Sequence, residues 1–219
     1  MHYDVRQIPA KVTYDWLLHK HYAHRIPSIS YALGLFDKHE LIGVCTYGTP
    51  ASSTLLKGVC GEKYAHIVKE LNRLVLDRNQ KNAASYFISR TFKLLPSPLK
   101  IVSYADTSKH HNGYVYQACN FIYTGLSAKF VDPKVKGLEH QHHATYANGK
   151  TNKQLAELFG ERLYFQERPR KHRYVYFLGT KKQKNELLSN LKYKIKPYPK
   201  GQNQLYDASY KAVSQGILF

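Results

Sequence analysis

Hydrophobic and polar positions along this chain switch between a helical and an alternating period, and the switches mark its elements. Val12, Trp16 and Leu17 fall on one side of a helix over residues 11–24, which Pro27 stops. Residues 29–36 and 41–47 read as two strands joined across Asp37-Lys38-His39-Glu40, a hairpin signal. The chain from Thr49 to Lys63 reads as irregular or briefly helical. The clearest stretch follows. Residues 66–77, carrying Leu71, Leu74, Val75 and Leu76, predict a strand that ends in a charged loop. Residues 83–95 place Tyr86, Phe87, Thr91, Leu94 and Leu95 at helical spacing up to Pro96. A short buried strand over 100–104, a short helix over 114–119 and a strand over 121–126 complete a core between Glu70 and Ser127. Strands alternating with helices predict an α/β fold with parallel pairing.

Beyond Ser127 the pattern loosens. Residues 129–149 read as a loop rich in His and Lys. Thr151 is placed to cap a helix that runs through Leu158 and ends at Gly160. Residues 174–179 predict a strand, 181–191 a basic helix, and the remainder an extended tail. No Gly/Ser/Pro-rich linker separates two cores. The expected organisation is one domain over residues 1–180, with residues 181–219 as a basic helix and tail packed on or beside it.

Charge narrows the function. Lys and Arg number 33 against 15 acids, a formal net charge of +18 before 12 histidines are counted. So large an excess points to a polyanionic partner, and nucleic acid fits best. The 19 tyrosines add to this, because several alternate with cations, as in residues 168–174 and 192–200. No apolar run approaches the roughly 20 residues of a membrane span, and the first residues lack the apolar stretch of a secretory signal. A soluble, cytoplasmic protein without a membrane partner is expected. Cys45, Cys60 and Cys119 show no paired ligand spacing, which argues for free thiols in a reducing compartment.

In open sheets, ligands gather at the carboxyl ends of strands. Two such ends are conspicuous. One is the Asp77–Ser85 loop, where Arg78, Lys81, Asn82 and Ser85 precede or open a helix and could hold the phosphates of a cofactor. The other is Ser103-Tyr104-Ala105-Asp106-Thr107, an acid emerging from a buried strand, which suits a catalytic group better than a core.

This order of elements, with Tyr116 and Asn120-Phe121 following, resembles the GNAT acyltransferase superfamily. The resemblance implies a mixed central sheet flanked by helices, with a basic C-terminal extension in this chain. It also puts Tyr116 in the place of a tyrosine that protonates a leaving thiolate. The phosphate loop of that superfamily carries closely spaced glycines, whereas Arg78–Ala84 holds none. Acetyl-coenzyme A is therefore not the expected cofactor.

A more particular likeness runs through His21-Tyr22-Ala23-His24-Arg25-Ile26-Pro27-Ser28, Tyr47-Gly48-Thr49-Pro50-Ala51-Ser52, Glu70-Leu71-Asn72-Arg73-Leu74, Ser103–Thr107 and Gly113–Gly125. Together these segments resemble the phage Mom family, GNAT-like proteins that convert adenine in DNA to its methylcarbamoyl form and protect phage DNA from restriction. The resemblance implies catalytic roles for His21, Tyr22, Asp106 and Tyr116, iron held by His21, Tyr22 and Asp106, and a host-cell cytoplasmic setting. It does not identify the group donor. The residues expected to meet DNA are Arg73, Lys109, Arg170, Lys171 and Arg173. Glu139-His140-Gln141-His142-His143 is a rival metal cluster. The oligomeric state is open, with a homodimer one expectation. Two other functions remain in view: an acyl-coenzyme A-dependent N-acyltransferase for another amine, and a non-enzymatic DNA-binding protein.

Overall fold

The computed structural model describes residues 3–77, 80–139, 141 and 143–201. Arg78, His140, His142 and the tail beyond Gly201 lie outside the described residues.

Seven strands form one sheet: β1 (Tyr3–Gln7), β2 (Tyr31–Asp37), β3 (Glu40–Gly48), β4 (Val68–Leu76), β5 (Leu99–Asp106), β6 (Ile122–Leu126) and β9 (Lys171–Leu178), in the order β1-β2-β3-β4-β5-β9-β6. The α/β expectation holds, but the parallel pairing does not extend across the sheet. Only β4 and β5 run parallel, over Val68–Glu70 against Lys100–Val102. Every other pair in the sheet is antiparallel. The reason is β9. It returns from far along the chain to lie between β5 and β6, so the local strand–helix–strand order does not place β6 beside β5.

The expected hairpin is β2–β3, turned through Lys38 in the left-handed region. Helix α1 (Ser53–Cys60) forms where the sequence reads as irregular or briefly helical, capped by the Ser52 hydroxyl. Helices α2 (Ala83–Thr91) and α3 (Tyr114–Ala118) appear as expected. Residues 129–149 are not all loop. They hold β7 (Phe130–Val135) and α4 (His143–Ala147), and β7 pairs with β8 (Leu163–Arg168) as a separate two-stranded ribbon. Helix α5 (Asn152–Phe159) starts at Thr151 with a full capping box, the Thr151 hydroxyl and the Gln154 side chain satisfying each other's backbone amides. Helix α6 (Lys181–Ser189) repeats the device with Thr180 and Gln183.

Apolar side chains fill both faces of the sheet. On one face Leu33, Leu35, Tyr47, Leu71, Phe87, Ile88, Ile101, Phe121 and Tyr174 pack under α2 and α3. On the other, Val59, Val68, Val102, Val175, Phe177 and Leu187 pack under α1 and α6. Lys100 belongs to this second face and is wholly buried, and its Nζ has no hydrogen-bond partner among the described residues. After α6, the chain crosses the sheet edge as a strap: Lys192 N–H donates to Val59, Lys196 N–H to Tyr123, and the Tyr198 hydroxyl to Phe121.

Candidate functional site

The site follows from two irregularities in β4. The first is a bulge: Tyr47 pairs with Leu71 and Thr46 with Arg73, which leaves Asn72 as the extra residue. Side chains otherwise alternate faces, so the extra residue brings Glu70 and Arg73 to the same face. The second is the end of the β4–β5 ladder at Glu70 and Val102. One residue further, the Ser103 hydroxyl donates to the Leu71 carbonyl at 2.9 Å in place of a ladder bond. Strand β5 continues along β9 as far as Asp106, and β4 diverges from it.

A cavity of about 340 Å³ occupies this fork, within the roughly 300–1,000 Å³ usual for small-ligand sites. Leu71, Leu74, Leu76, Ala84 and the α3 residues Tyr114, Val115 and Tyr116 line it from the α2–α3 face. Glu70, Arg73, Tyr104, Lys171, His21, Tyr22 and His111 line it from the other. The cavity thus passes through the sheet, apolar on one side and polar on the other. Gly113 is required at its wall: φ is +75°, and a Cβ there would stand 2.4 Å from the Tyr174 ring.

His21 and Tyr22 arrive by way of the N-terminal helical segment. The expected helix over 11–24 is instead a 3-10 turn (Ala10–Thr13) and a π turn (Trp16–Lys20) that ends at His21, whose N–H reaches back to the Trp16 carbonyl. Trp16 and Leu17 are buried against Val44 and Val75, whereas Val12 faces solvent. His21 is not a solvated histidine at a helix end. It is 6% exposed and stacks on Tyr22 with ring centroids 4.3 Å apart. Burial, with Arg73 next in effect, pulls its pKa down to about 3. Its Nδ1 accepts the Ala23 N–H at 3.0 Å, so the neutral ring carries its proton on Nε2.

Glu70 is the residue that sequence reasoning missed. Burial raises its pKa, and Arg73 and Lys171 offset only part of that rise. A lone carboxylate inside an apolar strand was the available signal. Arg73 donates to the Asn72 and Arg25 carbonyls, while its buried Nε has no partner among the described residues. Burial raises the Tyr116 hydroxyl well above the usual phenol range, with Ser103 opposing by a hydrogen bond, and Tyr104 is raised in the same direction by burial.

Asp106 stands beside the cavity rather than in its lining. Its Oδ1 accepts the Ser108 N–H at 3.0 Å and the Ser108 hydroxyl at 2.7 Å, and its Oδ2 lies 3.4 Å from Lys171 Nζ. Burial pushes its pKa up, but Ser108 and Lys171 outweigh burial and hold it low. A neutral His21 offers the cavity an N–H rather than a lone pair, and the Asp106 oxygens already serve Ser108 and Lys171. Among the described residues no three His, Cys, Asp or Glu side chains gather as a metal site.

The remaining expectations divide. Lys81 and Asn82 are exposed and Ser85 turns back to the Asn82 carbonyl, so α2 meets the cavity through Ala84 alone. Lys109 is exposed on the turn after Asp106, and Lys171 stands at the cavity. Arg170 and Arg173 are committed within the protein. Arg170 donates to Ser127 and Leu126, and Arg173 bonds Thr124 and lies 3.4 Å over the Tyr193 ring. No helix among the described residues is long and apolar enough to cross a membrane.

Comparison with known proteins places this arrangement. The chain is 28% identical over 199 residues to the methylcarbamoylase mom of Escherichia phage Mu, covering 83% of this chain and 77% of that protein. Among solved structures it is similar to an N-acetyltransferase from Staphylococcus aureus Mu50, at 12% identity and TM-score 0.44 over 82% of this chain and all of that one. It is also similar to the ribosomal-protein-S5-alanine acetyltransferase from Vibrio fischeri, at 12% identity and TM-score 0.46 over 81% of this chain and 94% of that one. The sequence pattern of the Mom protein family matches from residue 2 to residue 200, and the chain belongs to that family.

Proposed function

We propose that this protein converts the exocyclic amine of adenine in DNA to its methylcarbamoyl form, a change that shields phage DNA from restriction. Family membership, the name of the phage Mu relative and the +18 charge support the reading. The observation that carries it is Glu70, a half-buried carboxylate of raised pKa where the polar and apolar linings of the cavity meet.

The adenine amine is a poor nucleophile and must lose a proton as its new N–C bond forms. A carboxylate whose pKa is raised by burial is a stronger base than a solvated one, and Glu70 takes that proton. Arg73 and Lys171 remain close enough to prevent its permanent neutralisation. The His21 Nε2–H donates to a ring nitrogen of the base, and the Tyr22 and Tyr116 rings bound its faces. The protonated Tyr116 hydroxyl supplies a proton to the leaving group of the donor, which approaches from the apolar α2–α3 side. A base stacked in a duplex cannot reach this cavity, so the nucleotide is extruded first.

The test is mass spectrometry of nucleosides from DNA of cells expressing the protein. Methylcarbamoyl-deoxyadenosine should appear, and should vanish with Glu70→Gln while the variant stays folded. Unmodified DNA from cells holding folded wild-type protein would refute the proposal.

A further inference from the structure

We infer that Phe130, at the root of the β7–β8 ribbon, is a wedge that fills the base stack when a nucleotide leaves the duplex for the cavity. The inference rests on the reading of the cavity as a nucleobase site. Phe130 is 55% exposed and, with Val131 and Phe165, belongs to an apolar exposed stretch of the ribbon, of which it is the residue nearest the cavity strand β9 in sequence pairing. Its ring does not lie down on the protein. Arg168, directly across the ribbon, places its guanidinium 5.7 Å from the ring centroid and is itself held by Asp132.

The root of the ribbon is stitched to the site. The Thr107 hydroxyl, next to Asp106, donates to the Arg170 carbonyl at 2.5 Å. Arg170 donates to the carbonyls of Leu126 and Ser127, and the Ser127 N–H donates to the carbonyl of Lys171. The ribbon therefore keeps a fixed orientation to the cavity. Two residues, Pro169 and Arg170, separate Arg168 from the cavity residue Lys171, and Phe130 is the direct neighbour of Arg168. That short separation suits a wedge acting one base step from the extruded nucleotide.

Charge selects the partner. Exposed Lys129 precedes Phe130, exposed Lys109 stands on the turn after Asp106, and half-buried Lys171, paired with Asp106, lines the cavity. The nearby Asp132 is neutralised by Arg168, and the chain carries +18. An apolar ring beside the exposed Lys129, on a chain of large positive charge, suits DNA, where phosphates meet the lysines and bases meet the ring. Filling the vacated stack offsets much of the cost of unstacking.

The test uses duplex and single-stranded oligonucleotides with 2-aminopurine at the target adenine, whose emission rises when it unstacks. Wild-type protein should raise emission in the duplex. Phe130→Ala should reduce that rise about 5- to 100-fold, the range of one lost base–aromatic contact. Its single-strand affinity and melting temperature should stay unchanged, and Phe130→Trp should restore flipping. Equal flipping by Phe130→Ala and wild type overturns the wedge, as does an equal loss on both substrates. A dimer dissolved by Phe130→Glu would assign the ring to a second copy and also overturn it. Flipping by wild type without modified adenine in cells would instead remove the proposed chemistry and leave the wedge standing.

Discussion

Replacing Lys100 by Met should stabilise the protein, which makes the cost of one buried ammonium measurable. Lys100 is fully buried beneath α1 and α6, its Nζ has no hydrogen-bond partner among the described residues, and it lies 5.1 Å from the centroid of the Tyr64 ring. Burial lowers its pKa from 10.5 to about 8, with Cys60 opposing. At 1.36 kcal/mol per unit, that difference amounts to at most about 3 kcal/mol of destabilisation at neutral pH. Relaxation and water penetration reduce the effective figure. Met keeps the apolar stem and removes the charge. The sign fixes the pH window. Below pH 8 the lysine is protonated in both states and the penalty is complete. Between pH 8 and 10.5 the unfolded chain holds the proton more tightly than the folded one, so this contribution to stability rises with pH. Urea unfolding of both proteins at pH 7 and pH 10 provides the assay. The variant should gain about 1–3 kcal/mol at pH 7, and most of that gain should disappear by pH 10. A variant less stable at pH 7, or a gain that does not change with pH, would refute the assignment of the penalty to charge.

Four further outcomes follow from the site and its surroundings. Nitrogen-15 NMR of His21 should show a proton on Nε2 from pH 8 down to about pH 4; because its folded pKa is lowered to about 3, its contribution to stability falls as pH drops below 6.5. Iron content should be the same in purified wild type and His21→Ala, since this histidine presents no lone pair. Arg170→Ala should cost about 1–3 kcal/mol of stability by leaving the Leu126 and Ser127 carbonyls without their donor, and should not change the salt dependence of DNA binding. Lys109→Ala should do the reverse, reducing the slope of log affinity against log salt by about 1 with an unchanged melting temperature.

What the sequence makes legible is local. Hairpin β2–β3, the start and register of helix α2 (which ends at Thr91, short of the expected stop at Pro96), and the Thr151 cap each depend on residues within a few positions of one another. The ribbon was hidden because β7 contains Pro133 and both its strands are largely exposed, which removes the apolar alternation that signals a strand. The bulge at Asn72 depends on register with β3, about 25 residues away, and so leaves no mark on β4 itself. Without the bulge, Glu70 and Arg73 read as facing opposite ways, so strand alternation alone does not bring them together. Charge counting also does not show that Arg170 and Arg173 are bonded within the protein. It registers cations but not the carbonyls, hydroxyl and tyrosine ring that occupy them. Tyr116 and the His21-Tyr22 pair were placed by resemblance, and the structure brings all three to one cavity. Asp106 stays at its rim.

The position of β9 between β5 and β6 has a consequence for biosynthesis. Strand β6 ends at Leu126, yet its pairing partner begins at Lys171. A ribosome must therefore add the whole ribbon and α5 before β6 can pair, and during that interval both β5 and β6 present open edges. Such intervals favour wrong partners and slow folding. Yield in cells should thus respond more to translation speed and chaperone supply over residues 127–178 than to changes in the hairpin that opens the chain.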